Sequence, residues 1–148
     1  MKESYFEAVV MIERLHRLFL ELVKLELDRM QRRDINNVQA LVLYNIGENQ
    51  LTVGELTNRG YYLGSNVSYN LRKMVQNGYV EQIPSSHDRR SSHVKLSEKG
   101  LELYHTFDSL LGSQASHLTL DIVGAKEMTE FCQILRKLEG FWTSSLTR

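Results

Sequence analysis

The stretch PSSHDRRSSHVKLSEKG, from Pro84 to Gly100, places an acid and two arginines among small polar residues, directly before a helix start. Before it, the β-prone segment YVEQI ends at Pro84, and after it HVKL, at 93–96, alternates apolar and polar side chains as a strand does. The polar run between these segments is therefore predicted to be the tip of a β-hairpin. Ser97 is predicted to cap the next helix, because its side chain can accept a backbone N–H that the first turn leaves unpaired.

Three helix starts lie between residue 34 and this hairpin. Asn36 followed by Gln39, and Thr52 followed by Glu55, are capping boxes, in which each side chain satisfies a backbone N–H of the first turn. The first of these helices is predicted to end at Gly47, and the second is short.

A third helix is predicted from Ser65 to Asn77, and Gly78 after it supplies a left-handed exit. Its narrow apolar face recurs at helical spacing and consists of Val67, Leu71, Met74 and Val75. A helix, a short helix, a capped helix and a hairpin follow one another in the order of a winged helix-turn-helix. We therefore expect a mainly α fold with a small two-stranded β wing.

Long apolar stripes mark both ends of the chain. One helix is predicted from Tyr5 to Arg32, and another apolar stripe runs from Phe131 to Trp142, after a less regular stretch around 112–124. These stripes exceed what a small winged helix needs to cover, so we expect them to form a homodimer interface. The residues predicted for it are Tyr5, Phe6, Val9, Leu135, Leu138, Phe141 and Trp142.

Charge is unevenly distributed in a chain with 18 basic and 18 acidic residues. Residues 65–99 contain six basic and three acidic side chains, a net of +3, so the predicted third helix and wing form a mildly basic patch.

The single cysteine excludes an internal disulfide and suits a cytoplasmic location. No apolar run approaches the roughly 18 residues of a membrane helix, so no membrane partner is expected.

The basic patch predicts double-stranded DNA as the partner. A helix with an amide-rich outer face can lie in a major groove, and arginines on a hairpin tip can reach a minor groove or phosphates. Asp88 is expected to orient an arginine by ion pairing. The predicted DNA contacts are Ser65, Asn66, Ser68, Tyr69, Asn70, Arg72, Lys73, Arg89 and Arg90.

From Asp34 to Gly100 the chain resembles the DNA-binding half of the MarR family of bacterial winged-helix regulators. The motifs that carry the resemblance are Asp34-Ile35-Asn36 with Gln39, Glu55-Leu56, Gly78-Tyr79-Val80, Asp88-Arg89-Arg90 and Leu96-Ser97-Glu98-Lys99-Gly100. The resemblance implies a DNA-binding region at 34–100 and a helical dimerisation region made of 1–33 and 101–148.

The same resemblance implies a homodimer on a pseudo-palindromic operator, and it favours a repressor. Members of the family commonly bind small aromatic or anionic effectors, or sense oxidants through cysteine. By resemblance an effector would lie where the first, second and fifth helices meet, with Phe19 and Tyr44 as lining residues. Arg59-Gly60-Tyr61-Tyr62, Tyr69 and Asn70 depart from the family pattern, so the operator sequence does not transfer.

Other functions are less well supported by the residues. His87 and His93 flank the arginines, but no carboxylate or thiol cluster joins them to make a metal site. Cys132 is expected to act as a small hydrophobe rather than as a redox sensor. The sequence contains no nucleophile–base pair or phosphate-cradling glycine loop, so neither an enzyme nor a cofactor is expected. A winged helix that binds proteins instead of DNA is the alternative.

Overall fold

The computed structural model describes residues 1–60, 64–84 and 92–147, and for residues 64 and 65 it describes the backbone only. The chain divides into two compact units, Met1–His105 and Thr106–Arg148. The elements are α1 (Lys2–Arg29), α2 (Asn37–Ile46), β1 (Leu51–Thr52), α3 (Val53–Gly60), α4 (Gly64–Gln76), β2 (Val80–Ile83), β3 (His93–Leu96), α5 (Glu98–Asp121) and α6 (Ala125–Leu146).

Both predicted capping boxes are present. The Asn36 side chain accepts the backbone N–H of Gln39 at 2.8 Å, and the Gln39 side chain accepts the backbone N–H of Asn36 at 3.1 Å. Thr52 and Glu55 make the same reciprocal pair at 3.1 and 3.3 Å. These bonds replace the partners that the first helical turn lacks, so they fix where α2 and α3 begin.

The wing belongs to a three-stranded antiparallel sheet, ordered β1-β3-β2, and not to the two-stranded sheet that was expected. The hairpin of β2 and β3 is confirmed, with Val80 opposite Leu96. The additional strand, β1, pairs Leu51 with Val94, and both side chains are buried. Two residues are too few to show the alternation of a strand, and Thr52 had been interpreted only as a cap.

The core of the first unit orients α4. Val67, Leu71 and Met74 are buried, as their spacing predicted, against a core that includes Leu43 of α2 and Leu56 of α3. The fourth predicted member of that face, Val75, is instead 37% exposed. Because one face of α4 is buried, the opposite polar face is held outward.

The second unit contains two long helical segments. The irregular stretch expected around 112–124 is wrong for most of its length, because α5 continues through Gly112 and the break is confined to 122–124. A glycine lowers the stability of a helix by only about 1 kcal/mol, so the helix-forming residues around Gly112 keep α5 continuous there. None of the helices in the described part of the chain is long and apolar enough to cross a membrane.

Two glycines of α5 provide a matched pair of substitutions. A Cβ at Gly100 would lie 2.2 Å from the carbonyl oxygen of Tyr79, whereas a Cβ at Gly112 meets nothing within 4 Å. We expect Gly100→Ala to lower the free energy of unfolding by about 1–3 kcal/mol through overpacking, and Gly112→Ala to raise it by about 0.5–1 kcal/mol. Urea unfolding of both variants measures this, and equal effects would contradict the close packing at Gly100.

Candidate nucleic-acid interface

The outer face of α4 carries most of the side chains predicted to contact DNA. Tyr69 is 53% exposed, and Asn70 is half-buried. The remaining exposed members are Asn66, Ser68, Arg72 and Lys73. The backbone of Ser65 lies in α4, and its side chain is not among the described parts of the structure. Asp88, Arg89 and Arg90 all lie outside the described residues.

Lys73 and Tyr69 are neighbours one turn apart on this face. The Lys73 Nζ lies 5.9 Å from the centroid of the Tyr69 ring, near the limit of a cation–π contact. An aromatic ring and a cation are thereby presented side by side. Such a pair can contact both an apolar base edge and a phosphate.

Asn70 is connected to the start of α2 through Gln39. The Gln39 Nε2 donates to the Asn70 Oδ1 at 3.3 Å, and the Gln39 side chain is only 6% exposed. The capping-box pattern indicated what the Gln39 oxygen does. It gave no sign of where the amide nitrogen points, because that depends on how α2 packs against α4.

A polar open groove of about 260 Å³ lies beside α4. It combines two cations, Arg33 and Lys73, and the Asp34 carboxylate with amide side chains near the amino end of α2, the positive end of the helix dipole. The lining residues are Arg33, Asp34, Ile35, Asn36, Gln39, Tyr69, Lys73 and Asn77. Arg33 was not among the predicted contacts, because it lies outside the segment with excess positive charge.

At the carboxyl end of α4 four residues form what we call the Asp34 network: Asp34, Asn77, Tyr79 and Lys99. The Asp34 carboxylate accepts from the Tyr79 hydroxyl at 2.6 Å and from the Lys99 Nζ at 2.7 Å. Lys99 also donates to the Asn77 carbonyl at 2.8 Å, and the Asn77 amide donates to the Asp34 carbonyl at 2.8 Å. The α1–α2 loop, the end of α4 and the start of α5 are therefore joined by polar bonds.

This network changes two pKa values. Burial raises the pKa of Asp34, but the hydrogen bonds from Lys99 and Tyr79, with the Lys99 charge, outweigh it and bring the pKa below its ordinary 3.8. Burial, and then the hydrogen bond to Asp34, raise the pKa of Tyr79 from 10.0 to about 12. The Tyr79 contribution to stability is therefore complete below pH 10 and lost as the pH rises through about 12.

The connection from α4 to the wing also depends on Gly78. Its φ of +83° makes the left-handed exit that was predicted. Ser97 donates from its hydroxyl to the Gly78 carbonyl, and the same hydroxyl oxygen accepts the N–H of Gly100 at 3.1 Å. Ser97 thus caps α5, as predicted, and joins it to the end of α4.

The other predicted sites have weaker geometric support. The Tyr44 and Tyr104 rings contact each other at a tilt of 34°, with centroids 5.2 Å apart, and Phe19 is half-buried on α1. Cys132, in the second unit, lines a cavity of about 400 Å³ with Arg136 among its neighbours. Among the described residues, no three His, Cys, Asp or Glu side chains converge as metal ligands.

Comparison with known proteins gives consistent matches. A model of the MarR family matches residues 33–91. The exopolysaccharide II synthesis transcriptional activator ExpG of Rhizobium meliloti (strain 1021) is 45% identical over 139 residues, which are 94% of this chain and 72% of ExpG.

Two solved structures share the fold. The reduced form of MarR from E. coli has a TM-score of 0.66 at 25% identity, covering 86% of this chain and 93% of that one. Streptococcus pneumoniae FabT, solved in complex with DNA, has a TM-score of 0.75 at 18% identity and covers 95% of this chain and 98% of its own, a likeness of fold alone.

The helix-turn-helix with its three-stranded wing defines a winged-helix protein in which the outer face of α4 is polar and exposed. With the family match and the similarity to ExpG, this chain belongs to the MarR family and is a transcriptional regulator of that family.

The Asp34 network predicts a pH dependence of stability. Since the folded-state pKa of Asp34 is lowered, its ionised form stabilises the fold above about pH 4, and this contribution is lost as the pH falls through the folded pKa. We expect Asp34→Asn to cost about 1 kcal/mol or less at pH 7, because the ion pair is partly exposed, and to flatten the decline below about pH 4.

Urea midpoints across this pH range measure the effect. Asp121→Asn, at the exposed end of α5, is the control for losing one negative charge. A variant at Asp34 that keeps the wild-type decline would contradict the assignment.

Proposed function

We propose that this regulator binds double-stranded DNA in a sequence-specific manner, with α4 in the major groove. The observation that carries the proposal is the outer face of α4, which is polar, exposed and fixed in orientation by three buried apolar residues on its other side. A DNA complex is known for the structural neighbour FabT. The predicted contacts of α4 are Ser65, Asn66, Ser68, Tyr69, Asn70, Arg72 and Lys73.

The groove beside α4 is proposed to hold a phosphate of the same half-site. Arg33 and Lys73 supply charge, and the amino end of α2 supplies a favourable dipole. Such contacts fix the register of a protein on the duplex without reading sequence. In the wing, Arg90 is proposed to insert into the minor groove, and Arg89 to contact Asp88 or a phosphate.

The regulator is proposed to act as a homodimer through its terminal helices. None of the residues of α6 is buried, and Phe6 and Phe141 are 58% and 61% exposed. Exposed apolar area on this scale is typical of an interaction surface. The proposed interface residues remain Tyr5, Phe6, Val9, Leu135, Leu138, Phe141 and Trp142, and twofold symmetry places half-site centres about 34–36 Å apart.

The direction of regulation has two candidates. The family resemblance favours repression, whereas the relative of 45% identity is named a transcriptional activator. A reporter placed behind the selected operator distinguishes them, since deletion of the regulator raises expression in the first case and lowers it in the second. Binding of an effector near Phe19 and Tyr44 stays a prediction from the resemblance.

DNA binding is tested by recovering and sequencing bacterial genomic fragments bound to the purified protein. We expect an inverted repeat to be enriched by the wild type and lost with Arg90→Ala. Lys73→Ala should weaken cognate and random DNA alike and reduce the salt slope by about 1, because a phosphate contact is removed.

Lys137→Ala on α6 removes the same charge and is expected to leave the salt slope unchanged. No enrichment at low salt from a folded protein would overturn the proposal and favour a protein-binding winged helix.

The dimer is tested by sedimentation of a Phe141→Glu variant. A carboxylate in an apolar interface lacks a partner, so the variant is expected to sediment as a monomer where the wild type is a dimer. Gln133→Glu adds the same charge at another exposed position of α6 and is the control. Dimers of unchanged affinity in Phe141→Glu would place the interface elsewhere.

A further inference from the structure

A chain of hydrogen bonds fixes which atom of Asn70 is available to a ligand. The backbone N–H of Asn36 can only donate, so the Gln39 atom that it meets at 3.1 Å is the carbonyl Oε1. The remaining Gln39 atom is the amide nitrogen, which can also only donate, and it meets Asn70 at 3.3 Å. Asn70 must therefore turn its Oδ1 toward Gln39.

The Nδ2 of Asn70 is left as the free end of this chain. It donates to none of the described residues, and Asn70 is half-buried beside the exposed Tyr69. The side-chain oxygen that a bidentate contact with adenine requires is already engaged. Because that bond turns the oxygen toward Gln39, a base that approaches Asn70 from the other side meets the amide donor.

We propose that Gln39 is a positioning residue for base reading, which makes Asn70 select a base that presents acceptors in the major groove. Guanine offers N7 and O6 and thymine offers O4, adenine offers N7 beside an amino donor, and cytosine offers an amino donor alone. The orientation of Asn70 thus favours guanine or thymine, leaves adenine a single bond at N7 in place of the bidentate pair, and disfavours cytosine. This inference rests on the proposed DNA binding of α4.

The burial of Gln39 makes this chain of hydrogen bonds rigid. The side chain is 6% exposed and holds both of its bonds at once, so neither amide can rotate without breaking a bond in a nearly dry site. The residue that completes the α2 capping box therefore also sets which Asn70 atom α4 presents.

Gln39→Glu reverses the polarity while it keeps the capping box. A carboxylate still accepts the N–H of Asn36, as glutamate does in the α3 box, but it offers Asn70 an acceptor. Asn70 is then expected to turn its nitrogen inward and its oxygen outward. Selection from randomised duplexes at pH 8, where the new carboxyl is ionised, should replace guanine or thymine by cytosine or adenine at one symmetric position.

Asn70→Asp is the second variant, because it presents an acceptor outward with Gln39 unchanged. Both variants should select the same altered base and bind the wild-type operator about tenfold or more weakly. Glu55→Gln makes the equivalent exchange in the α3 capping box and should retain the wild-type preference. Circular dichroism checks that each variant is folded. If Gln39→Glu fails to fold, the base selected by Asn70→Asp decides whether the atom that Asn70 presents sets the base preference.

The outcomes separate this inference from the proposed function. If the wild type enriches a sequence and either folded variant selects that same sequence, the role of Gln39 is overturned. DNA binding itself would then remain supported. If the wild type enriches no sequence at all, the proposed function fails, and this inference fails with it.

Discussion

The carboxylate of Asp34 is the polar centre that ties together the winged-helix part of the chain. It accepts from Tyr79 and Lys99, which follow α4 and begin α5, so one side chain joins three parts of the chain distant in sequence. Tyr79 is fully buried, and its ring lies 4.3 Å from the Lys99 ammonium. Such a group is stable in the interior only while its hydroxyl is bonded, so packing and polar bonding reinforce each other here.

Polar contacts hold α4 at two points along its length. At its carboxyl end, Gly78 and the Asp34 network set where α4 stops and where β2 begins. Near its middle, Gln39 connects Asn70 to the start of α2. The direction of α4 is therefore set by contacts with several other parts of the unit. The positions of exposed residues such as Tyr69 and Lys73 follow from that direction.

The apolar side chains of the two units differ in how far they are buried within the chain. In Met1–His105 the apolar positions of α2, α3 and α4 close a core, whereas the apolar side chains of α6 remain exposed. A helix that is apolar but unburied within its own chain requires another surface to cover it. The proposed dimer supplies that surface, and twofold symmetry would then turn one recognition helix into a matched pair.

The sequence by itself determined the helix starts, the hairpin and the face of α4 that is buried, because capping boxes, glycine exits and periodicity are local. It also contained the motifs of the family. Only the tertiary structure decided that Leu51 and Thr52 form a third strand, that α5 crosses Gly112, and that Arg33 joins Lys73 in one groove. The bond between Gln39 and Asn70 belongs to this second group, since it joins two residues that lie 31 positions apart in the sequence and meet only when α2 packs against α4.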